Sequence, residues 1–540
     1  MGQGSALTRR ALLGTAATAS LLGCSEARPD IPGAFVDADA QRGHLLREAR
    51  AWPAPARVRR TGVIVTGSGI AGLAAARSLR LSGQDDFAVL EQADTAGGNA
   101  RGGQLEGLAC PLGAHYLPLP GAAASAVLDW LEEIGLRRRV AGRWVVDERH
   151  LCHSPQERLF LNGQWQDGLL PLQGVGAATL AQYRRFAALV QQAQTTARWT
   201  IPAHVVPATP MQQALAAISF EAYLQQHGLD DAHLRWYLDY CCRDDYGAGI
   251  AVVSAWAGLH YFASRHGFHA PGDDAEPTGE REAVLTWSEG NAWLVRRLAE
   301  PLGERLVTGR TVLRVANLRH GVEVDVWDHA QGHVERWLAP RAIVALPLHV
   351  ARRVVESPPE VLRAAAARCR SAAWLVANLH LATPLHDDGR GAAPSWDNVL
   401  YGAPGLGYVD AGHQSLQRVP RATVLTYYRA LGDDPATRAL LLSRAWSDWR
   451  DAIVAELSAA HPDLLRRLTR IALFRHGHAM AVPTPGILPS TALQGVSVGR
   501  GLLSKTQYWR IGHERLRFAH SDWAGYSVLE EAFCMGHAAA

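Results

Sequence analysis

Lysine is almost absent from this sequence of 540 residues: of its 54 basic residues, only Lys505 is a lysine. The net charge of +3 is small, and the arginines are spread along the chain with no basic block and no basic patch interleaved with aromatic residues. A protein that binds nucleic acid usually concentrates positive charge on one face. The composition therefore predicts no nucleic-acid partner, and the length favours two intertwined globular domains.

Cysteine is also scarce and shows no pattern that would build a metal site or a disulfide framework. Adjacent cysteines such as Cys241 and Cys242 rarely pair, because the bridge geometry is strained. Long apolar runs are missing as well: after residue 24 no segment has 18 uncharged apolar residues, so we expect no membrane span in the body of the protein. The seven cysteines are at positions 24, 110, 152, 241, 242, 369 and 534.

The first 27 residues have the shape of an export signal. In "LTRRALLGTAATASLLGC" the pair Arg9 and Arg10 precedes an apolar stretch that is too short to span a bilayer. Leu21 to Cys24 resembles a lipobox, whose cysteine is lipidated and becomes the mature N-terminus. We predict export by a twin-arginine route to the periplasmic side, with a lipid on Cys24 as the only membrane attachment. An uncleaved anchor or a misassigned start codon are the alternatives.

The first regular secondary structure predicted along the chain is a strand-helix-strand unit, which is typical of an α/β fold. "VIVTG" from Val63 and "FAVLEQ" from Phe87 are predicted strands, with a helix from about Ile70 to Ser82 between them. The pattern from about 151 to 264 is mostly helical, with Ser219 as a plausible N-cap. Strands return at 310–347, and helices and strands alternate to about residue 473.

A glycine motif, Gly67, Gly69 and Gly72, follows the first strand and opens the helix. The first glycine permits a tight turn, the second lets the backbone approach a pyrophosphate, and the third lets helix and strand pack closely. Ile70 and Ala71 begin the helix, whose free N–H groups would hold the phosphate. A glycine-rich turn without a ligand is the alternative.

The acid after the second strand favours a bound dinucleotide. Glu91 lies 19 residues after Gly72, where its carboxylate, next to Gln92, can accept both hydroxyls of an adenosine ribose. It would repel a 2′-phosphate, so NADP is disfavoured. "EQADTAGGNARGG" then adds a second glycine turn with a cation, which suits the longer arm of FAD, and "PLGAHYL" offers small residues that let backbone lie against a flat ring. The residues concerned are Gly97, Gly98 and Arg101 in the turn, and Gly113 and Ala114 beside the ring.

With its C-terminal "FAHSDWAGYSVLEEA", the sequence resembles the flavin-containing amine oxidase superfamily, which includes monoamine and polyamine oxidases, protoporphyrinogen oxidase and phytoene-desaturase-like enzymes. In that family a fingerprint F-A-G-x-E followed by G-Y completes the FAD site, although here His520 replaces the glycine and the spacing is shorter. The resemblance also assigns Val312 in "GRTVLRV" to the adenine and matches "IVALP" through Pro347. The C-terminal residues that it assigns to FAD are Ser521, Asp522, Gly525, Tyr526 and Ser527.

The resemblance implies an α/β fold, in which a discontinuous Rossmann-like FAD-binding domain carries an inserted α+β substrate domain. It also implies FAD, a small-molecule substrate, and O2, a quinone or another electron acceptor. No cysteine is placed as an obvious covalent flavin anchor, so we expect the FAD to be non-covalent. Nothing in the sequence indicates the oligomeric state. The expected ranges are 1–27 for the signal, 28–57 for a tether, 58–150, 281–350 and 496–540 for the FAD-binding domain, and 151–280 (helical) and 351–495 for the substrate domain.

The amine oxidases keep a lysine near flavin N5, on a strand that here reads "SAAWLVANLHL" and has none. Asn378 is the nearest polar substitute on that strand, and His380 lies on the same face. The alternative is that Asn378 is simply a hydrogen-bonded buried residue. Tyr526 matches one wall of an aromatic cage or is a plain core aromatic, and the second wall stays open among Tyr508, Trp509 and Trp523. His115 would be a donor to the flavin or a base.

The helical insert offers groups that could meet a substrate. Asp244 and Asp245 could attract a cation, unless they pair structurally with an arginine, and Trp256 and His260 share a helical face. "RHGHAM" gives only weak grounds for a metal, so we predict none. The predicted function is hydride transfer from a substrate carbon to flavin N5, with oxidation of a C–N bond. The alternatives are desaturation or isomerisation of a lipid-like substrate, and a non-catalytic flavin-binding envelope protein.

Overall fold

The computed structural model describes residues 30–36, 39–47, 51–272, 283–415, 421–488 and 511–540. The predicted signal with Cys24, the single lysine Lys505, and two candidate cage residues, Tyr508 and Trp509, lie outside the described residues. Within the described ranges, no helix is both long and apolar enough to cross a membrane.

A six-stranded sheet, which we call the nucleotide sheet, forms the centre of the first layer. Its core strand Val63–Thr66 is buried along its whole length, because helices cover one face of the sheet and the four-stranded sheet described below packs on the other. Five neighbouring strands run parallel and the last edge strand is antiparallel. In spatial order the strands are Leu306–Val307, Phe87–Leu90, Val63–Thr66, Arg341–Val344, Leu516–Phe518 and Ile511–His513.

The two ends of the chain meet on this sheet. The helix Ile70–Leu81 follows the core strand, and the last helix, Leu529–Ala539, packs against it. The contact is close: a Cβ atom on Gly536 would lie 2.0 Å from the carbonyl oxygen of Ala71. This confirms the predicted strand-helix-strand unit, and it brings the C-terminal fingerprint to the glycine motif.

A four-stranded sheet lies beside the nucleotide sheet. The strands predicted to begin at residue 310 form here, and 310–318 and 321–328 pair as an antiparallel ladder with a register shift between Val312 and Arg314. The strands in spatial order are Arg310–Leu318, Gly321–Asp328, His333–Ala339 and Arg57–Arg60.

The third sheet has eight strands, and we call it the large sheet. The hairpin strands Glu157–Leu161 and Gln164–Asp167 join it, although the sequence pattern around them is predominantly helical. Asn162 and Gly163 both have positive φ, as a two-residue type I′ turn requires. In spatial order the strands are Gly33–Phe35, Leu468–Val482, Arg370–Leu381, Thr423–Ala430, Tyr408–Asp410, Asp397–Leu400, Glu157–Leu161 and Gln164–Asp167.

The predicted helical insert packs over the large sheet. The Ser219 side chain accepts a hydrogen bond from the Ala222 amide and so caps the next helix, as predicted. The insert helices are Ala177–Thr196, Pro210–Ala216, Phe220–Gln226, Ala232–Tyr246 and Ala255–Ala263. The other helices are Asp39–His44, Ser125–Glu133, Ala292–Ala299, Leu348–Val354, Glu360–Arg368, Thr437–Ser443, Trp446–Ser458 and Leu464–Arg467.

Three two-stranded ladders complete the fold. One of them, Arg137–Val140 with Arg143–Val146, protrudes from the surface. The other two are Gly102–Leu105 with Leu108–Pro111, and Tyr116–Pro118 with Val284–Thr286.

Candidate active site

The first glycine turn has the shape that a pyrophosphate needs. Gly67 has φ 87°, and a Cβ there would lie 2.6 Å from the carbonyl oxygen of Ala345. A Cβ on Gly72 would lie 1.9 Å from the Gly67 carbonyl oxygen, whereas one on Gly69 would meet nothing within 4 Å. The helix from Ile70 has no side-chain cap, so its first amides remain available to an anion. The predicted phosphate-binding residues are therefore together and fit that role.

Glu91 lies beside this turn, as the spacing predicts. Its carboxylate accepts hydrogen bonds from the Ser68 amide (2.8 Å), the Ser68 hydroxyl (2.6 Å) and the Ala93 amide (2.9 Å). A carboxylate has about four acceptor sites, so capacity remains for a ribose hydroxyl. The contribution of Ser68 was not predicted from the sequence.

The residues expected at the adenine end lie around Glu91. The Gln92 carbonyl accepts a hydrogen bond from the Arg42 guanidinium at 3.0 Å. Val312 is buried on the strand whose first residue, Arg310, donates its amide to the Glu91 carbonyl at 2.7 Å. The start of this strand therefore lies next to Glu91, and the assignment of Val312 to the adenine stays a prediction.

The second glycine turn touches the first. The Gly97 amide donates to the Ser68 carbonyl at 2.9 Å, and a Cβ on Gly98 would lie 3.3 Å from the Gly69 Cα. The Arg101 guanidinium donates to the Gly98 carbonyl at 3.1 Å and so holds the turn. The two predicted turns form one continuous wall.

The segment Gly113–His115 is held rigidly in place. A Cβ on Gly113 would lie 2.1 Å from the Asn99 carbonyl oxygen, which accepts the Ala114 amide at 2.8 Å. Tyr428 donates its hydroxyl to the Gly113 carbonyl at 3.1 Å. Only a small residue fits at position 113 because the Asn99 backbone packs against it, and the predicted approach of this backbone to a flat ring stays a prediction.

Two histidines of the long strand Leu468–Val482 lie nearby. His476 contacts the Leu112 carbonyl through Nε2 at 2.7 Å, and so supports the same segment. His478 stacks on His349 with ring centroids 4.1 Å apart, and burial lowers its pKa to about 3. In the sequence this histidine pair gives only weak grounds for a metal site, and in the structure the two rings make different contacts.

Asn378 is buried, and both of its polar atoms are satisfied. Its amide donates to the Pro111 carbonyl at 3.0 Å, and its carbonyl accepts the Thr426 hydroxyl at 2.7 Å. It therefore positions the segment that leads to Gly113. This matches the alternative of a hydrogen-bonded buried residue, and its catalytic role stays a prediction. His380 contacts Thr469 at the exposed end of the strand.

The C-terminal fingerprint joins the nucleotide sheet to the large sheet. The Asp522 carboxylate accepts the Leu348 amide at 3.0 Å, and the Ser527 hydroxyl accepts the Ala481 amide at 2.9 Å. Burial opposes ionisation of Asp522, but neighbouring His520 outweighs it and lowers the pKa of the carboxyl. Ser521 is buried with its hydroxyl 3.4 Å from that of Ser527, and Gly525 ends the turn with φ 80°.

Tyr526 is fully buried and bonded. Its hydroxyl donates to Glu531 at 2.6 Å, and Glu531 also contacts His204 at 2.8 Å. His260 packs edge-on against Tyr526 at 5.3 Å and stacks on Trp256 at 4.6 Å, so the predicted helical face is present. These contacts are those of a core aromatic, and a cage role for Tyr526 stays a prediction. Trp523, the other described cage candidate, is also buried.

A cavity of about 1280 Å³ opens between the segment after Gly113 and the helical insert. His115 lines it and stacks on Tyr428 with centroids 4.3 Å apart, while Trp396 tilts against the imidazole at 5.6 Å. Burial lowers the pKa of His115 to about 3, so the imidazole is neutral at physiological pH. Tyr428 and Trp396 were missed in the sequence because nothing local links them to residue 115.

Carboxyl groups face this cavity. Tyr116 donates its hydroxyl to Asp244 at 3.1 Å, and burial raises the pKa of Asp244 to about 6. Burial, followed by the charges of Glu157 and Asp244, raises the pKa of Asp397 well above its usual range. Among the described residues, neither Asp244 nor Asp397 forms an ion pair. Asp245, the other carboxyl that the sequence offered for a cation, instead forms an ion pair with Arg265 at 2.9 Å.

One cluster of metal-binding residue types lies away from this cavity. One ligand atom each from Asp328, His333 and Glu335 lie within 4.8 Å of one another. Arg310 bonds to Asp328 at 2.7 Å and to Glu335 at 3.4 Å, and Arg59 reaches Glu335 at 3.1 Å. Arginine guanidinium groups thus already neutralise the cluster.

Comparison with known proteins agrees with this architecture. Residues 70–473 match the family model of flavin-containing amine oxidoreductases. Putrescine oxidase bound to putrescine superposes with a TM-score of 0.62 at 16% identity, covering 89% of this chain and 98% of that one. Cyclohexylamine oxidase from Brevibacterium oxydans IH-35A gives 0.62 at 16%, covering 88% and 97%.

A third solved structure with the same fold is named for a reaction other than amine oxidation. A CLA-producing fatty acid isomerase from P. acnes gives a TM-score of 0.58 at 13% identity, covering 88% of this chain and 97% of that one. Comparison with curated proteins gives no match. The predicted α/β class with a Rossmann-like FAD-binding domain is confirmed, and so is FAD as the cofactor.

Proposed function

The chain belongs to the flavin-containing amine oxidoreductase family and is an FAD-dependent oxidoreductase, and we propose that its substrate is a cationic amine whose C–N bond it oxidises. Putrescine oxidase and cyclohexylamine oxidase, which share the fold, are named for amines. The proposal for this chain rests on its own cavity.

The residues that would hold FAD are the two glycine turns, Glu91, the Gly113–His115 segment and the C-terminal fingerprint around Asp522. FAD supplies the acceptor for a hydride from the substrate carbon. The binding is non-covalent. The chain's remaining tasks are to bind the amine, orient it and remove its proton.

The observation that carries the proposal is the pair of cavity carboxyls Asp244 and Asp397, which have no ion-pair partner in the part of the chain that the structure describes. Buried carboxyl groups close to each other resist ionisation, and an incoming cation relieves both the burial cost and the mutual repulsion. Neutral His115 and the Trp396 ring would contact the rest of the substrate. A cation over aromatic faces is also favourable.

Asp244 also has the properties of the proton acceptor. An ammonium must lose a proton before its neighbouring carbon can release a hydride, and a carboxyl with a pKa of about 6 can take that proton near neutral pH. Tyr116 occupies Oδ2 of this carboxylate, so Oδ1 would hold the proton. Asp397 would then provide charge stabilisation without proton transfer.

The test is a titration of the holoprotein, without oxygen, with diamines, monoamines and neutral alcohols of matched length. We expect bleaching of the flavin's visible band by amines and none by alcohols. Asp397→Asn should raise KM with little change in kcat, and Asp244→Asn should lower kcat as well. Glu304→Gln, which removes an exposed charge elsewhere, is the matched control and should change neither. Absence of bleaching by every amine would contradict the proposal.

A lipid-like substrate for desaturation or isomerisation is the second candidate. It is favoured by the lack of lysine on Arg370–Leu381 and by the apolar residues Leu131, Leu172 and Phe268 along the cavity. Bleaching or product formation with fatty acids, together with inert amines, would support it. A flavin that reoxidises with no acceptor, in a protein with a stable partner, would instead favour the non-catalytic hypothesis.

We also propose that the N-terminal segment exports the folded holoprotein and that Cys24 carries a lipid. The twin-arginine route accepts folded proteins, which suits a flavoprotein loaded with its cofactor before export. Mass spectrometry of the mature chain should find a lipidated cysteine as its first residue. Arg9→Lys with Arg10→Lys should retain the precursor, and Cys24→Ser should give an exported chain without lipid.

A further inference from the structure

The protruding hairpin Arg137–Val146 has an unusual composition. Its ten residues, RRRVAGRWVV, contain four arginines and no acidic residue. Ala141 and Gly142 form its turn, both with positive φ (48° and 80°). The arginines that are otherwise spread along the sequence are therefore concentrated here on one short element.

Apolar side chains share the hairpin with these arginines. Residues directly opposite each other in an antiparallel pair lie on the same face, so Arg139 shares a face with Trp144, and Val140 with Arg143. Trp144 is 41% exposed and Val140 is 45% exposed. The Arg137 guanidinium carbon lies 3.6 Å from the centre of a Trp144 ring, which fixes the indole at the surface.

Within the described part of the chain, the positive charge of the hairpin is not neutralised by ion pairs. Arg138, Arg139 and Arg143 form none, and the only hydrogen bond of the Arg139 guanidinium is to the Gly142 carbonyl. The carboxylates of Glu132 and Asp129 act on the Arg137 guanidinium. Arg265 is paired with a carboxylate, whereas the four hairpin arginines present their charge together on one short exposed element, which favours binding of an external anion.

The hairpin also borders the entrance of the substrate cavity. Arg137, Trp144 and Val146 line the same 1280 Å³ space as His115. Trp144 and Leu172, which are 41% and 43% exposed, mark its rim. A surface bound to the hairpin would therefore lie at the mouth of the cavity.

We propose that this hairpin docks the protein on an anionic phospholipid surface, with the cavity mouth turned towards the lipid. Arginines bind anionic headgroups, while Trp144 and Val140 enter the boundary between headgroups and acyl chains, where tryptophan is favoured. Charge alone would also suit nucleic acid, but that partner leaves the exposed apolar side chains in water. The docking is independent of any lipid on Cys24.

The test uses the full-length holoprotein with Cys24→Ser, so that no acyl chain contributes, and sedimentation with vesicles. We expect binding to phosphatidylcholine vesicles that contain phosphatidylglycerol, little binding to pure phosphatidylcholine, and weakening by added salt. Arg138→Gln, Arg139→Gln and Arg143→Gln together should weaken binding on the order of 100-fold. The matched control changes three other exposed arginines, Arg60, Arg341 and Arg368, to Gln and should retain binding.

A second measurement avoids dependence on the triple variant. Vesicles with brominated acyl chains should quench tryptophan fluorescence of the parent protein more than that of Trp144→Phe, because Trp144 enters the lipid. Equal binding to neutral vesicles, equal loss in both triple variants, or binding to heparin without binding to anionic vesicles would each overturn the proposal.

Discussion

The two ends of the FAD-binding region are built in different ways. At the adenine and pyrophosphate end, Gly67, Gly72 and Glu91 lie within 25 residues of one another and act mainly through backbone geometry. At the substrate end, His115 and Asp244 come from segments far apart in the chain and act through side chains in a cavity. The first end is specified by local spacing, and the second exists only after the chain has folded.

Among the substitutions that test this comparison of the two ends, we expect the largest effect at Gly72. In Gly72→Ala the new Cβ would lie 1.9 Å from the Gly67 carbonyl, so helix and strand must move apart. We expect destabilisation on the order of 3 kcal/mol or more and loss of FAD. Thermal unfolding and the flavin content of purified protein measure both.

Gly69→Ala is the matched control for that experiment. Its Cβ would enter open space, so the fold should keep its stability, while FAD affinity falls because the methyl group occupies the expected pyrophosphate site. Equal stability loss in both variants would show that the turn is not shaped for a ligand.

At the substrate end, the pH dependence of stability should reveal Asp244. Its folded pKa of about 6 is above the ordinary value of 3.8, so the folded protein holds the extra proton and loses stability as pH rises from about 4 to about 6. Asp244→Asn removes this loss and should be more stable than the parent at pH 7, by up to about 3 kcal/mol.

Denaturant unfolding of the parent and Asp244→Asn across that pH range is the measurement. Glu304→Gln should follow the parent curve, since its charge is exposed. Parallel curves for the parent and Asp244→Asn would contradict the raised pKa. A substrate-end carboxyl that costs stability but aids activity would mark the contrast with Glu91, whose carboxylate already accepts three hydrogen bonds from its own turn.

The difference between the two ends also explains which parts of the fold and of the site could be predicted from the sequence. The glycine spacing, Glu91 and the strand-helix-strand unit follow from local rules of turns and periodicity, and the structure confirms the unit. Tyr428 and Trp396 could not be assigned, because only sheet pairing brings their strands to residue 115. The arginines at 137–139 are already consecutive in the sequence, but their exposure and their position beside the cavity become visible only in the structure.

Tyr526 packs against His260 in the core, and its hydroxyl and its ring can be removed separately to test its roles. Tyr526→Phe removes the hydrogen bond to Glu531 and should cost about 1–2 kcal/mol of stability. If Tyr526 is a core residue, kcat/KM for the best amine stays unchanged. Phenylalanine keeps the aromatic face, so the predicted cage wall is tested with Tyr526→Leu, which should lower kcat/KM well below that of Tyr526→Phe if the ring contacts the substrate.

The smallest expected effect concerns Ser68, which the sequence did not single out. Ser68→Ala removes the hydroxyl that donates to Glu91 at 2.6 Å but keeps the amide bond at 2.8 Å. FAD affinity should therefore fall by about 1 kcal/mol, roughly fivefold, as measured by titrating the apoprotein with FAD. Glu91→Gln should lower FAD affinity more, since it removes the carboxylate charge that is expected to accept hydrogen bonds from the ribose. Equal losses in the two variants would mean that the serine hydroxyl, and not the carboxylate, determines affinity at the adenine end.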